Sequence, residues 1–153
     1  MPIHVRDADL QRLQSALILF RLPMDRKPSG ELPVELDELH DTINWTSSIR
    51  SALRFGDIRS LGVTMDLVWG TKQKTHPDVI TDEIRSLRFF LQTRGMVGAK
   101  VCGTGGHLLA LCHPPMRVRL LDAAKERGLD EIPFRFVQDG LLSWKAPIRT
   151  IDG

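Results

Sequence analysis

The sequence predicts an α+β fold, a ferredoxin-like two-layer sandwich with a four-stranded, mainly antiparallel sheet and an enlarged helical first crossover. Three observations predict it. Short apolar runs of strand length occur at Leu17–Phe20, Ala99–Cys102, Leu108–Cys112 and Pro133–Val137. Stretches of helical periodicity fill the long gap after the first run and the gap before the last. The two middle runs are joined by a glycine-rich turn, which is a hairpin signal.

Leu17-Ile18-Leu19-Phe20 is continuous and apolar, as a buried strand is, and Pro23 ends it. Residues 24–33 hold Pro28, Ser29, Gly30 and Pro33 and read as a loop. Trp45, Ile49, Ala52 and Leu53 then recur at helical spacing, with Gly56 as the stop. Asp57 is placed to cap a second helix carrying Ile58, Leu61, Met65, Val68 and Trp69, whose end Gly70 weakens. In a third helix Ile80, Ile84, Leu87 and Leu91 share one stripe. Thr81 or Asp78 caps its start, Arg88 and Arg94 suit its C-terminal dipole, and Gly95 closes it.

The hairpin follows, and His113-Pro114-Pro115 terminates its second strand. Met116–Arg127 is a helix with Val118, Leu121 and Ala124 inward and Gly128 as its stop. Pro133–Val137 alternates apolar and polar residues, as a half-buried strand does, up to Gly140. The tail, residues 141–153, adds at most a short strand at Leu142–Trp144 and is otherwise loose.

The chain length of 153 residues suits one domain spanning 1–153 and is enough for a core without disulfides or metals. A net charge of +2 and the lack of a long basic run argue against a nucleic-acid surface. The first ten residues lack the apolar core of a signal peptide, and no run is long enough to cross a bilayer, so the cytoplasm is the default compartment. The two cysteines, Cys102 and Cys112, read as small buried residues, and their spacing allows them to face each other across the hairpin. The histidines at 4, 40, 76 and 113 show no metal spacing. Trp45, Trp69 and Trp144 read as packing residues. The acidic pairs Asp37-Glu38 and Asp130-Glu131 read as solvated surface.

Gly103-Thr104-Gly105-Gly106 is the most informative segment. Three glycines in four positions permit positive φ, and successive backbone N–H groups can then converge on an anion. Two readings stay open: a turn that merely needs glycines, or an anion site. No G-K-[ST] follows, so it is not a Walker A loop, and a strand rather than a helix follows, so it is not a Rossmann fingerprint.

With its flanks, the segment Gly98–Leu111 resembles the third conserved motif of the GHMP kinases, roughly G-x-K-[LV]-x-G-[AS]-G-G-G-G followed by an apolar strand. That superfamily includes galactokinase, homoserine kinase, mevalonate kinase and phosphomevalonate kinase. The match holds through Gly106; His107 and Leu108 stand where the family has two more glycines. Further pieces resemble the branch that phosphorylates heptose phosphates. These are Leu17–Phe20 followed by Arg26 and Ser29, Trp69-Gly70-Thr71-Lys72, His76-Pro77-Asp78, and Pro133–Phe136 with Gly140. They are collinear over about residues 10–140 and all belong to the C-terminal domain of such kinases.

The resemblance implies ATP-dependent phosphoryl transfer to a sugar or sugar phosphate, with Mg²⁺. It implies that Gly103, Thr104, Gly105 and Gly106 line phosphates, that Lys100 and Arg26 supply positive charge, and that His107 and Ser29 are further contact candidates. The nucleotide loop of the family's N-terminal domain, P-x-x-x-G-L-G-S-S, does not occur in this sequence, and the resemblance implies that the catalytic Asp and Lys also come from that domain. The catalytic residues are therefore unknown. The expectation is a chain that binds no cofactor alone and acts with an N-terminal kinase domain, or self-associates. The alternative is a non-catalytic module for sugar phosphates, nucleotides or protein partners.

Overall fold

The computed structural model describes residues 3–24 and 36–137, with side chains described from residue 40 onward in the second stretch. The elements run α1 (Asp7–Ala16), β1 (Leu17–Arg21), α2 (Leu36–Phe55), α3 (Ile58–Thr75), α4 (Asp82–Gln92), β2 (Met96–Val101), β3 (His107–Cys112), a 3-10 turn at Pro114–Met116, α5 (Arg117–Glu126) and β4 (Asp130–Ile132). The sheet order is β2-β3-β1-β4, and every neighbouring pair is antiparallel. This is the ferredoxin-like sandwich, with α2, α3 and α4 forming the enlarged crossover between β1 and β2.

Strand parity divides the core. Ile18 and Phe20 of β1, Ala99 and Val101 of β2, and Leu108, Ala110 and Cys112 of β3 point to one side, where α4 and α5 cover them through Ile84, Leu87, Leu91, Leu120 and Ala124. Leu17 and Leu111 point to the other side and meet Leu13 and Ala16 of α1, Ala52 of α2, and Ile58, Leu61 and Met65 of α3. Helix α3 serves both layers, because its Trp69 belongs to the first cluster. It reaches β2 through a bare contact: a Cβ on Gly62 would lie 2.7 Å from the Val97 carbonyl oxygen, and one on Gly98 would lie 3.0 Å from the Gly62 Cα.

The caps follow local chemistry. Asp57 accepts from the Ser60 amide at 3.1 Å and from the Ser60 hydroxyl at 2.6 Å. These bonds hold its carboxyl below the ordinary value of 3.8. Thr81 accepts from the Ile84 amide and opens α4. Helix α3 continues through Gly70 to Thr75. The exposed Gly70 costs helix stability by about 1 kcal/mol relative to alanine.

Four expectations are corrected. Val118, expected inward on α5, is 69% exposed. Helix α1 was not foreseen; only Leu13, Ala16 and Asp9 of its residues are buried, so it carries little apolar periodicity. The last strand is Asp130–Ile132, not Pro133–Val137: Leu19 pairs with Ile132 and Arg21 with Asp130. Pro133 has no N–H to give a ladder. The following backbone finds a side chain instead, since the Gln14 amide donates to the Phe134 carbonyl at 2.9 Å and accepts from the Phe136 amide at 2.8 Å. The cysteines do not face each other, because the four-residue turn sets a register that pairs Cys112 with Met96 and leaves Cys102 beside the turn. Burial pushes the Cys112 thiol up. Gly140 and Leu142–Trp144 lie outside the described residues.

Candidate functional site

The glycine segment joins β2 to β3 as a tight turn. The Gly105 amide donates to the Cys102 carbonyl at 3.1 Å, and the Cys102 amide donates to the His107 carbonyl at 3.0 Å. Gly103, Gly105 and Gly106 adopt φ of 54°, 116° and 83°. A Cβ on Gly103 or Gly105 would meet nothing within 4 Å, so backbone conformation rather than crowding demands glycine there. The turn is docked on both flanks. The Leu22 amide, just past β1, donates to the Gly106 carbonyl at 2.9 Å. On the other flank the Lys72 ammonium, near the end of α3, donates to the Val101 carbonyl at 3.1 Å and the Gly103 carbonyl at 2.5 Å.

The turn separates two cavities whose described linings differ. One, of about 170 Å³, lies against Thr104, Gly105 and Gly106 and is walled by Met24, Asp78 and Glu83. The other, of about 360 Å³, lies against Gly103 and Lys100 and is walled by Trp45, Ile49, Val68 and Lys72 of α2 and α3, with His76 at its edge. Two carboxylates line the first. Lys72 and Lys100 line the second, and among the described residues no Asp or Glu does.

The predicted residues are thus dispersed. Lys100 and Gly103 share the larger cavity, while Thr104, Gly105 and Gly106 face the smaller one. Lys100 is exposed, on the sheet side away from Ala99 and Val101. His107 is the first residue of β3, paired with Arg21 of β1 on the same side of the sheet, and lies outside both cavities. Arg26 and Ser29 lie outside the described residues.

Trp69 is a packing residue, 2% exposed. Arg88 of α4 lies over its ring at 4.7 Å from the centroid and bonds Asp66 of α3 at 2.7 Å. Trp45, by contrast, lines the larger cavity. Sequence reasoning missed the clasp made by Lys72. Its signal was present in Trp69-Gly70-Thr71-Lys72, since three residues along a helix bring Lys72 near the face that Trp69 buries. Among the described residues no three His, Cys, Asp or Glu side chains converge. Among the described residues no helix is long and apolar enough to cross a membrane.

Comparison with solved structures places this geometry. A candidate sugar kinase from Campylobacter jejuni is similar over 94% of this chain and 43% of its own, at TM-score 0.66 and 19% identity. A D-glycero-D-manno-heptose 1-phosphate kinase from Bacteroides thetaiotaomicron is similar over 96% of this chain and 41% of its own, at TM-score 0.66 and 18% identity. A mevalonate kinase follows at TM-score 0.61 and 16% identity, over 84% of this chain and 42% of its own. The chain has the fold found in GHMP-type kinases. It spans about two-fifths of the length of these neighbours, which fits a C-terminal domain of that type. No protein-family model and no curated protein matches the sequence.

Proposed function

We propose that this chain is the C-terminal domain, or a separate half, of a GHMP-type kinase that transfers phosphate from ATP to a sugar or sugar phosphate together with a nucleotide-binding domain. One observation carries the reading. The GHMP-type fold covers nearly the whole chain, and the one segment with a glycine motif of that superfamily forms the β2–β3 turn within it.

In this reading residues 1–153 act as a single domain, and Gly103–Gly106 is a rigid wall of the substrate cleft. Lys100 supplies positive charge beside it, with Arg26, Ser29 and His107 as further phosphate contacts. Lys72 holds the wall in place through two carbonyls. The nucleotide loop, the base and any Mg²⁺ ligands come from residues outside this chain's described site, in the same polypeptide or in a partner.

A second reading is favoured by His107. The glycine run closes at Gly106 and β3 begins at His107, so the backbone available to phosphate is shorter than in the superfamily motif. A binding or docking module that has lost phosphoryl transfer fits that closure.

The coding sequence next to this chain separates the two readings most cheaply, since a flanking G-L-G-S-S segment supports the kinase. The functional test is phosphoryl transfer from radiolabelled ATP to a panel of sugar phosphates, by this chain alone and with the flanking gene product. Transfer only by the pair supports the proposal. Turnover by the chain alone contradicts the division of labour, and silence of the pair favours the module.

A further inference from the structure

We infer that the cavity between α2, α3 and the Gly103 side of the turn is a binding pocket, formed by this chain alone, for a small organic oxyanion with a ring-shaped or hydrocarbon body. The inference rests on the placement of Lys100 and Gly103 in the proposed substrate cleft, requires no phosphoryl transfer, and concerns the side of the turn away from Thr104–Gly106.

Size is the first support. The cavity measures about 360 Å³, inside the range of roughly 300–1,000 Å³ common for ligand pockets. Its lining supplies the second, because the two ends differ. Trp45, Ile49 and Val68 supply apolar surface on the helices, interspersed with the threonines at 42, 46 and 71. Lys100 lies on β2 and Lys72 reaches the turn, with no carboxylate among the described lining residues. An amphiphilic anion matches that division, with its body on the helices and its charge at the sheet.

The third support is that the two lysines have different work. Lys72 is engaged with the carbonyls of Val101 and Gly103. Lys100 is exposed on β2, and no hydrogen bond or ion pair to a described residue holds it. Placed on a strand, its Cα is fixed by pairing with Leu109. It is therefore the cation available to an incoming oxyanion. Gly103 adds access, since it is exposed and a Cβ there would meet nothing within 4 Å.

Neither the smaller cavity nor the Arg21–His107 pair offers this combination. Asp78 and Glu83 line the former. Asp130 stands opposite Arg21 in the latter, and no cavity encloses them.

The test uses the full chain and amide and indole N–H chemical shifts. Probes are phenyl phosphate, glucose 6-phosphate, phenylacetate, inorganic phosphate and phenol. The Trp45 indole signal is assigned with Trp45→Phe. The pocket predicts that at least one of the three organic anions moves the signals of Trp45, Lys100 and Gly103 together. It must bind more tightly than inorganic phosphate or phenol, which each carry one half of the recognition. Which organic anion binds best distinguishes a phosphate from a carboxylate head and a sugar from an aromatic body. Lys100→Ala should weaken that binding about tenfold or more, as loss of a charge-assisted contact does. Lys74→Ala, an exposed lysine of α3 outside the cavity, should leave it unchanged.

Shifts confined to Thr104, Gly105, Gly106 and Asp78 would overturn the assignment. So would equal binding of inorganic phosphate and the organic anions, equal effects of the two lysine substitutions, or no shift at Trp45 with any probe.

Discussion

Gly62→Ala and Gly70→Ala place the same methyl group in the same helix at two sites with opposite surroundings. Helix propensity alone favours both substitutions by about 1 kcal/mol. At Gly70 the new Cβ meets nothing within 4 Å, so the whole gain should appear. At Gly62 the Cβ would lie 2.7 Å from the Val97 carbonyl oxygen and 3.4 Å from its carbon. That oxygen belongs to β2 backbone, in a strand paired to β3, and cannot rotate away as a side chain would. Overpacking of this kind costs about 1–3 kcal/mol, and a backbone clash belongs at the upper end.

The net expectation is a loss of about 1–2 kcal/mol for Gly62→Ala, after subtracting the propensity gain of about 1 kcal/mol. The two variants should therefore differ by about 2–3 kcal/mol. With a urea slope of about 1–3 kcal/mol per molar, their midpoints should separate by about 1 M or more. Urea unfolding followed by far-ultraviolet circular dichroism measures both midpoints. Equal or greater stability of Gly62→Ala than of wild type would refute the close approach of α3 to β2. A destabilised Gly70→Ala would refute the continuation of α3 through that residue.

The remaining predictions use the same reasoning. Asp57→Ala should cost roughly 1 kcal/mol, the usual worth of an N-cap, read as a lower urea midpoint at neutral pH. Because folding lowers the Asp57 carboxyl, its contribution is present above the ordinary value of 3.8 and fades as pH falls through the lowered value, so the difference between variant and wild type should shrink with acidification. Lys72→Met should speed amide exchange at Gly105 while leaving the helical amides of α5 unchanged; unchanged exchange at Gly105 would mean that the lysine does not hold the turn. Under native conditions iodoacetamide should label Cys102, which is half-buried, well before Cys112, which is buried with its thiol pushed up; equal rates, measured by peptide mass, would contradict the register of the hairpin. Gln14→Ala removes two hydrogen bonds to the Phe134–Phe136 segment and should cost about 1–2 kcal/mol, with faster proteolysis at Arg135 as the specific readout.

Legibility followed the range of the forces involved. The hairpin, β1, the cap at Asp57, the cap at Thr81 and the glycine stop at Gly95 were all readable, since each depends on neighbours a few residues apart. The fold class was readable too, because the spacing of apolar runs allows few ways to bury them. Helix α1 was not, because its burial comes from contacts of Leu13 and Ala16 with residues far along the chain. The last strand was misplaced by three residues because alternation at Pro133–Val137 was satisfied by packing and by Gln14 rather than by a ladder.

The site shows the same boundary. Sequence by itself determined that Gly103, Gly105 and Gly106 permit positive φ in a tight turn and that Lys100 precedes them, since backbone freedom is a local property of the chain. Tertiary structure alone decided which side of the turn faces which charge. Asp78 and Glu83 come to one flank from the start of α4, and Trp45 and Lys72 come to the other from α2 and α3. Those partners are separated from the turn by tens of residues. Their meeting depends on how α3 lies across β2 at Gly62 and Gly98, a close approach that local sequence rules do not express.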